Sequence, residues 1–523
     1  MSQNFNAHTL VRAIATIVRA HSLSLFFAAA GTIIALARLT PYPGWGDDWA
    51  AYVEQGVALA TGTIPQQQLD MRFCLENSAI SLGPYVYPWG LPFAIAVVFL
   101  KTGFSVVAFK AINLVFWGPF LFLFHTAAIR RTNRSIAAVL TTLFVIHPVF
   151  LGHVNSIGSD IPFLFFAFSS VLALEHIVSR SDSRHRQFLF WSVLGGIACA
   201  MAFLFRTNGI VILMALTCIQ ISVCLVRRFA KLSIFRVFLE AVQLNGSIWV
   251  QLFPVLIFVM CVSLLKSVLT IGGEGHLSML SGVSLRSIAG HSLFYTKIAA
   301  SWLAIPALSK SLVLGLPIVL ISVIAGFVHL KTRPLEVLFV AGTAVCYVIW
   351  PSKQGFRFLF PLVPFVLLWI GETISHPMEN QPCIAKVSAL FASGILVFFS
   401  IRTMESIRQS GSRPLDDPCS QNATELFSFI QRQVHDNAVV AFRKPRALHL
   451  LAHRRSFVPN HDMIQTNTTC LLLIDKNNDS PDWVDEINQK VSSGSLYVLF
   501  ENTQFLLLTI PPMDHVQVQS TIR

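Results

Sequence analysis

Charged residues are scarce in this sequence. Only 12% of the 523 residues are Asp, Glu, Lys or Arg, whereas 54% are hydrophobic, and a soluble domain usually carries about 25% charged residues. Apolar stretches of roughly 20 residues, the length that crosses a bilayer, recur along residues 20–402. The scarcity of charge therefore excludes an ordinary soluble protein and indicates a polytopic protein of the lipid bilayer.

Acidic residues are especially few in the apolar part. Residues 1–402 contain 27 Lys and Arg against 13 Asp and Glu, and residues 403–523 contain 11 against 13. Short cytoplasmic loops rich in Lys and Arg produce this positive excess. A nucleic-acid partner is not expected, because no basic patch with aromatic or groove-reading residues is visible on a soluble segment.

The positions of the arginines predict a topology for residues 1–402. Arg12 and Arg19 precede the first apolar run, which ends near Thr40. A polar segment, 40–84, follows, and a later apolar run ends at a cluster of three arginines that indicates the cytoplasmic side: Arg130, Arg131 and Arg134. Segment 40–84 is therefore expected on the outer side.

Alternation of sides then predicts the rest of the membrane domain. Segment 88–100 is about 13 residues long, too short for a comfortable span, and is read as a re-entrant or interfacial piece. The remaining runs, with one helix expected at 136–151, give about eleven transmembrane helices. The fold class is an all-α polytopic membrane bundle over 1–402, with a small extracytoplasmic α/β domain over 403–523.

The C-terminal segment has a different pattern. A short amphipathic helix is predicted at 425–434, and four apolar runs separated by Asn, Asp, Pro and Ser read as strands. The predicted strands are 438–442, 469–474, 496–500 and 505–510.

Three acidic residues are expected at the outer ends of helices. Asp47 and Asp48 follow the first apolar run, and Asp160 begins another one. A carboxylate here could accept a proton from an attacking hydroxyl, and the adjacent pair could hold a divalent cation through oxygen ligands. Each could also cap a helix, with Asp47 capping the short helix expected at 49–60. Asp48 is the preferred general base, because Trp49 can partly shield it from water.

Basic residues are expected on the same side. Arg206 and Arg357 lie there against the positive-inside trend, with Lys353 nearby and Asn208 and Tyr87 as further polar candidates for substrate binding. The planar fork of a guanidinium matches phosphate oxygens. The alternative is that these side chains extend to lipid headgroups. Two arginines opposite several carboxylates favour an anionic substrate.

Five motifs in order resemble those of the GT-C glycosyltransferases, in particular the bacterial relatives of dolichyl-phosphate-mannose protein mannosyltransferases, aminoarabinose transferases and rhizobial lipopolysaccharide-core transferases. The motifs are Gly-Asp-Asp-Trp at 46–49, Tyr-Pro-Trp-Gly-Leu-Pro at 87–92, Ser-Asp-Ile-Pro at 159–162, Phe-Arg-Thr-Asn-Gly at 205–209 and Phe-Arg-Phe-Leu-Phe-Pro at 356–361. Trp89 and Thr207 stand where the family pattern has proline.

This resemblance implies a polyprenyl-phosphate sugar donor and an acidic catalytic base in the first outer loop. It further implies that the acceptor is an envelope glycan, lipid or protein and that the protein lies in the inner (plasma) membrane. No resident cofactor is implied beyond a possible divalent cation. An O-antigen polymerase or ligase would share the donor and the outer basic residues. A secondary transporter is less favoured, because no internal repeat is visible and the charges lie at helix ends rather than at the midplane.

Overall fold

A computed structural model describes residues 21–80, 82–179, 185–228, 248–268, 283–303, 310–351, 353, 355–380, 382–410, 416–460 and 470–509. These residues form a helical bundle followed by a small domain with a five-stranded sheet. Arg12 and Arg19, which contribute to the predicted orientation, lie outside the described residues.

The bundle is built from helices that are mostly apolar. In chain order they are α1 Ser22–Ala37, α2 Asp48–Thr61, α3 Ile64–Asn77, α4 Gly90–Thr102, α5 Val106–Arg131, α6 Arg134–Ile146, α7 Pro148–Val154, α8 Asp160–Ser179, α9 His185–Phe205, α10 Ile210–Arg228, α11 Ile248–Val268, α12 Leu285–Ala299, α13 Leu312–His329, α14 Pro334–Ile349, α15 Val363–Asn380 and α16 Pro382–Ser410.

Several of these helices have the length and composition of membrane spans. Within the described ranges, four helices are long and apolar enough to cross a bilayer, namely α5, α8, α9 and α13. The pair α6 and α7 would make a fifth, and shorter apolar helices include α1, α4 and α14. The chain is therefore a multi-pass membrane protein, and the number of about eleven spans stays a prediction.

The helix expected at 136–151 is broken. Helices α6 and α7 meet at an angle of 54°, with His147 extended between them at φ −72° and ψ 115°. Pro148 has no amide hydrogen to continue the first helix, and it disfavours helical geometry in the residue before it. The ring nitrogen Nδ1 of His147 accepts a hydrogen bond from the Val149 amide at 3.3 Å and caps the second helix.

The segment between α1 and α4 is more ordered than the sequence suggested. The short helix expected at 49–60 is observed as α2, and it ends at Gly62, whose φ of 75° favours glycine. A second helix, α3, was not predicted, because its sequence is mostly polar.

The C-terminal domain has a mixed sheet with helices on both faces. Its elements are α17 Gln421–Gln433, β1 Val439–Ala441, α18 Pro445–Ala452, β2 Arg455–Phe457, β3 Cys470–Asp475, α19 Pro481–Ser492, β4 Tyr497–Glu501 and β5 Phe505–Thr509. The strand order is β2-β1-β3-β5-β4, with β1 parallel to both neighbours and the other pairs antiparallel.

Alternating side chains of the sheet form the two apolar cores of this domain. Leu471 and Leu473 of β3 pack with α17 and α18, and Leu472 and Ile474 pack with α19. This follows from the two-residue period of a strand. The predicted amphipathic helix and four strands are confirmed within the described residues. The strand β2 and the helices α18 and α19 were missed, and the predicted boundary at 402 falls inside α16.

The bundle has two distinct ends. Near one end of α5, the Lys110 ammonium donates hydrogen bonds to the Thr40 and Tyr42 carbonyl oxygens at 3.0 and 2.7 Å. At the other end of α5, Arg131 forms a buried ion pair with Glu336, which lies at the start of α14. Segment 40–84 thus lies opposite the arginine cluster at 130–134, as predicted. The end of the bundle that carries segment 40–84 is called the loop end below.

Candidate active site

The C-terminal domain covers the loop end. The Gly44 amide donates to the Asp417 carboxylate at 2.7 Å. The Ala79 amide donates to the Val458 carbonyl oxygen at 3.0 Å, and the Arg455 guanidinium donates to the Asp70 carboxylate at 2.7 Å. Segment 40–84 and the domain therefore lie on the same side of the bundle and form one continuous polar layer above it.

Asp48 lies at the centre of this layer. Its Oδ1 accepts a hydrogen bond from the Tyr87 hydroxyl at 2.7 Å, and its Oδ2 accepts one from the Arg357 guanidinium at 3.1 Å. Arg446 approaches Oδ1 to 3.6 Å. The side chain of Asp48 is 42% exposed, so a reactant can reach its carboxylate.

The charges around Asp48 decide its protonation. Burial alone raises the pKa of this carboxyl, but Arg357, the Tyr87 hydroxyl and Arg446 together favour the carboxylate, and the net pKa lies below the usual value. Asp48 is therefore ionised at neutral pH.

The side chain of Asp47 does not cap α2. It occupies the residue before α2, yet its side chain accepts no hydrogen bond from α2. Its Oδ1 instead accepts from the amides of Arg446 and Ala447 at 3.2 and 3.4 Å. The expected cap on the short helix is thus wrong, because these amides, at the start of α18, supply donors that have no partner within their own helix. Burial raises the pKa of Asp47, against the opposing charges of Arg446 and Lys444.

Asp160 and Arg206 form a second charged pair. One guanidinium nitrogen of Arg206 lies 2.8 Å from the Asp160 carboxylate, which is buried, and the His153 ring lies 3.7 Å from the other oxygen. Arg206 directly follows the last residue of α9 and precedes the 3₁₀ turn Thr207–Gly209. A Cβ on Gly209 would lie 2.4 Å from a backbone nitrogen of α9, so only glycine fits there.

One aromatic ring connects the two charged pairs. The guanidinium carbon of Arg206 lies 4.9 Å from the centre of the Phe358 ring, and that of Arg357 lies 6.0 Å from the same ring. Phe358 belongs to the 3₁₀ turn Phe356–Leu359, which follows α14. Both guanidinium groups therefore lie within 6.0 Å of the centre of the same ring.

Tyr87 is fixed through its backbone. The side-chain amide of Gln55 donates to the Tyr87 carbonyl oxygen and accepts from the Tyr87 amide, both at 3.0 Å. The Tyr52 ring lies 4.4 Å from the Tyr87 ring, and the two hydroxyls of Tyr52 and Ser159 lie 3.0 Å apart. Helix α2 thus holds the phenol of Tyr87 against the carboxylate of Asp48.

The sequence-predicted residues divide into two groups. Asp47, Asp48, Tyr87 and the ion pairs of Arg206 and Arg357 are brought together at the loop end. Asn208 lies in the 3₁₀ turn directly after Arg206. Lys353 is exposed, and its ammonium lies 5.7 Å from the centre of the Phe294 ring. In the described part of the chain, Lys353 does not contact the carboxylates of the site.

Sequence reasoning missed the residues that the C-terminal domain contributes. Arg446 is 1% exposed and contacts Asp47 and Asp48, while His449 lies 2.5 Å from the Glu54 carboxylate and 3.8 Å from that of Asp70. One signal was present: residues 443–446 form a basic run in an otherwise slightly acidic segment.

The adjacent carboxylates face arginines in this structure. Within the ranges described, no group of three or more His, Cys, Asp and Glu side chains is arranged to hold a metal ion. Asp47 and Asp48, which the sequence offered as ligands of a divalent cation, are engaged by amide and guanidinium groups.

The fold is similar to those of ArnT and of an archaeal oligosaccharyltransferase, in agreement with the resemblance seen in the motifs. ArnT from Cupriavidus metallidurans in the apo state matches with a TM-score of 0.55 at 13% sequence identity, over 94% of this chain and 98% of that chain. The same protein bound to undecaprenyl phosphate matches with a TM-score of 0.53 at 12% identity, over 93% and 98%.

A second neighbour is an oligosaccharyltransferase. The Archaeoglobus fulgidus enzyme in complex with Zn and sulfate matches with a TM-score of 0.52 at 11% identity, over 92% of this chain and 73% of that chain. No protein-family model matches the sequence. Comparison with curated proteins finds no match either. At these identities the similarity shows a common fold, and the chemistry is argued from the residues of this chain.

Proposed function

We propose that this protein is a glycosyltransferase that moves a sugar from a polyprenyl-phosphate donor to a hydroxyl or amine of an envelope glycan, lipid or protein. One observation carries this proposal: an accessible carboxylate, Asp48, contacts the guanidinium of Arg357 beside a second arginine, Arg206. Glycosyl transfer needs a base for the neutral nucleophile of the acceptor and positive charge for the departing phosphate. A carboxylate and two arginines at one site supply both.

The donor supplies the reason for the position of the site. A polyprenyl tail keeps the donor in the bilayer, so its phosphate must be met at headgroup depth. The candidate site lies at the loop end, where apolar helices end and the polar layer begins. The phosphate of the donor is assigned to Arg357 and Arg206, whose planar forks can each give two hydrogen bonds to phosphate oxygens.

Asp48 is assigned as the general base. In the transfer, the acceptor oxygen or nitrogen forms a bond to the anomeric carbon while the bond from that carbon to the phosphate oxygen breaks. The acceptor proton goes to the Asp48 carboxylate, and the phosphate leaves with the bonding electrons and is met by Arg357 and Arg206. General-base assistance of this kind contributes about 10²–10⁴-fold.

Arg357 connects the two halves of this mechanism. In the structure it lowers the pKa of Asp48, which makes that carboxylate a weaker base. When Arg357 turns to the donor phosphate, Asp48 loses a neighbouring positive charge and its pKa rises. Donor binding thereby strengthens the base in preparation for the acceptor.

Asp160 is assigned a supporting role. It is buried and lies 2.8 Å from a nitrogen of Arg206, so it orients that guanidinium toward the donor. Asp47 holds α18 of the C-terminal domain. The domain and the site are assigned to the outer face of the inner membrane, because the arginine cluster at 130–134 lies at the opposite end of the bundle.

The test of this function is reconstitution. Purified protein in lipid vesicles is given a radiolabelled polyprenyl-phosphate sugar and an envelope extract with acceptors from a deletion strain. Transfer of label to a glycan, lipid or protein supports the proposal, whereas vectorial movement of a solute without transfer would indicate a transporter.

A further inference from the structure

The C-terminal domain inserts a buried arginine into the candidate active site. One terminal nitrogen of Arg446 donates to the Tyr87 hydroxyl at 2.8 Å, and the other donates to the Leu82 carbonyl oxygen at 2.5 Å. Its Nε lies 3.6 Å from the Asp47 carboxylate. Asp47, Leu82 and Tyr87 all precede α4, so within the described residues these contacts join the guanidinium to the loop end and not to its own domain.

The direction of these hydrogen bonds is informative. A phenol has a single proton to donate. Because Arg446 donates to the oxygen of Tyr87, the proton of that hydroxyl is directed toward Oδ1 of Asp48, 2.7 Å away. The chain of donors therefore runs from Arg446 through Tyr87 to Asp48 and fixes the orientation of that carboxylate.

We propose that Arg446 is a positioning residue for the transfer reaction, so that the C-terminal domain completes the active site. This inference rests on the proposed function. Arg446 orients Asp48 through Tyr87, and it remains beside the carboxylate when Arg357 turns to the donor phosphate. It thus keeps the base ionised at the moment when its other cation is engaged elsewhere.

The electrostatics of the site agree with this role. Burial raises the pKa of both Asp47 and Asp48, and the positive charge of Arg446 opposes that rise at each carboxyl. A base must be ionised to act, so activity is lost as the pH falls through its pKa. Removing Arg446 raises that pKa, and the acidic limb of the pH profile of kcat/KM moves to higher pH.

Three variants separate positioning from simple support of the fold. Arg446→Met removes the charge, and Arg446→Lys keeps a charge but loses the fork that reaches two acceptors. Arg454→Lys is the matched control: Arg454 is also buried in the C-terminal domain, but it donates to the Val434 and Gln431 carbonyl oxygens and lies away from the site.

Two measurements are made on these variants. The first is the pH profile of kcat/KM with a polyprenyl-phosphate sugar. The second needs no activity: a water-soluble carbodiimide modifies protonated carboxyls, so the pH dependence of Asp48 labelling, read by mass spectrometry, reports its protonation in the full-length protein.

We expect Arg446→Met to lose roughly 10²-fold in kcat, the scale of a misplaced catalytic group, and to shift both the acidic limb and the labelling curve to higher pH. Arg446→Lys should lower kcat with little shift, and Arg454→Lys should shift neither curve. An unmoved labelling curve in folded Arg446→Met overturns the inference. Absence of transfer by the wild-type protein, with the labelling shift present, overturns the proposed function alone.

Discussion

The guanidinium of Arg357 lies 3.1 Å from the carboxylate of Asp48, although 309 positions separate them in the chain. This contact brings together the residue assigned to the donor phosphate and the residue assigned to the acceptor proton.

Arg357 is expected to bind the donor. Arg357→Ala should weaken binding of a polyprenyl-phosphate lipid, and Arg357→Lys should restore it only in part, because an ammonium lacks the bidentate fork. Binding is measured directly with the lipid in detergent. Lys353→Ala is the matched control, since Lys353 is exposed and contacts Phe294. Equal affinity in the wild type, Arg357→Ala and Arg206→Ala would remove the phosphate role from both arginines.

The loop and the C-terminal domain are expected in one compartment. Gln66→Cys in segment 40–84 and Ser493→Cys in the domain, both exposed positions, should react with an impermeant thiol reagent applied to the outside of cells. Ser135→Cys, beside the arginine cluster, should react only after permeabilisation. The three variants are compared in a cysteine-depleted background. Labelling of Ser135→Cys from outside would reverse the assigned orientation.

Asp47 is expected to hold the domain in place. Asn keeps an oxygen that can accept from the amides at the start of α18, whereas Ala does not, and loss of such a cap costs about 0.5–2 kcal/mol. Asp47→Ala should therefore expose the connection to the domain to a protease more than Asp47→Asn does. Asp482→Ala, at the start of α19 and away from the loop, serves as the control. Equal cleavage of all three proteins would show that the contact of Asp47 with α18 does not stabilise the domain.

Docking of the domain is also expected to depend on pH. Burial lowers the pKa of His449, but the charge and hydrogen bond of Glu54 and the charge of Asp70 outweigh it, and the net pKa is raised. A raised pKa in the docked state means that protonated His449 stabilises docking below its ordinary pKa, and that this contribution is lost as the pH rises through the raised value.

Hydrogen exchange of α18 measures this effect. Exchange corrected for its intrinsic pH dependence should increase from pH 6 to pH 9 in the wild type, and His449→Gln should remove the pH dependence. Tighter docking at high pH in the wild type would have the wrong sign for this ion pair.

The sequence predicted that polar residues of the motifs lie at helix ends on one side of the bundle. Asp48, Tyr87, Arg206 and Arg357 each lie at a helix end or a turn, and the alternation of helices places such ends on one side of the bundle. The sequence pattern does not show which way each side chain points on that side of the bundle. Lys353 is four positions from Arg357 but contacts Phe294, because the turn that begins at Gly355, with φ 44°, separates the two side chains.

The contribution of the C-terminal domain was not visible in the sequence. The bond from the Arg446 amide to Asp47 spans 399 positions, and helix α18 has only eight residues, too few for a clear apolar period. The break at Pro148 was likewise not predicted from the apolar pattern. An apolar run predicts that a segment is buried, and a single proline decides whether it stays one helix.

Sugar transfer in vitro by Asp48→Asn and Asp47→Asn, at matched expression and saturating donor, tests the central claim most directly. Asp48→Asn should lose about 10²–10⁴-fold in turnover, the contribution of a general base, while remaining in the membrane, and Asp47→Asn should be milder. Near-normal turnover in Asp48→Asn with loss in Asp47→Asn would contradict the assignment and exchange the two roles. Near-normal turnover in both would make Asp160 the leading candidate for the base.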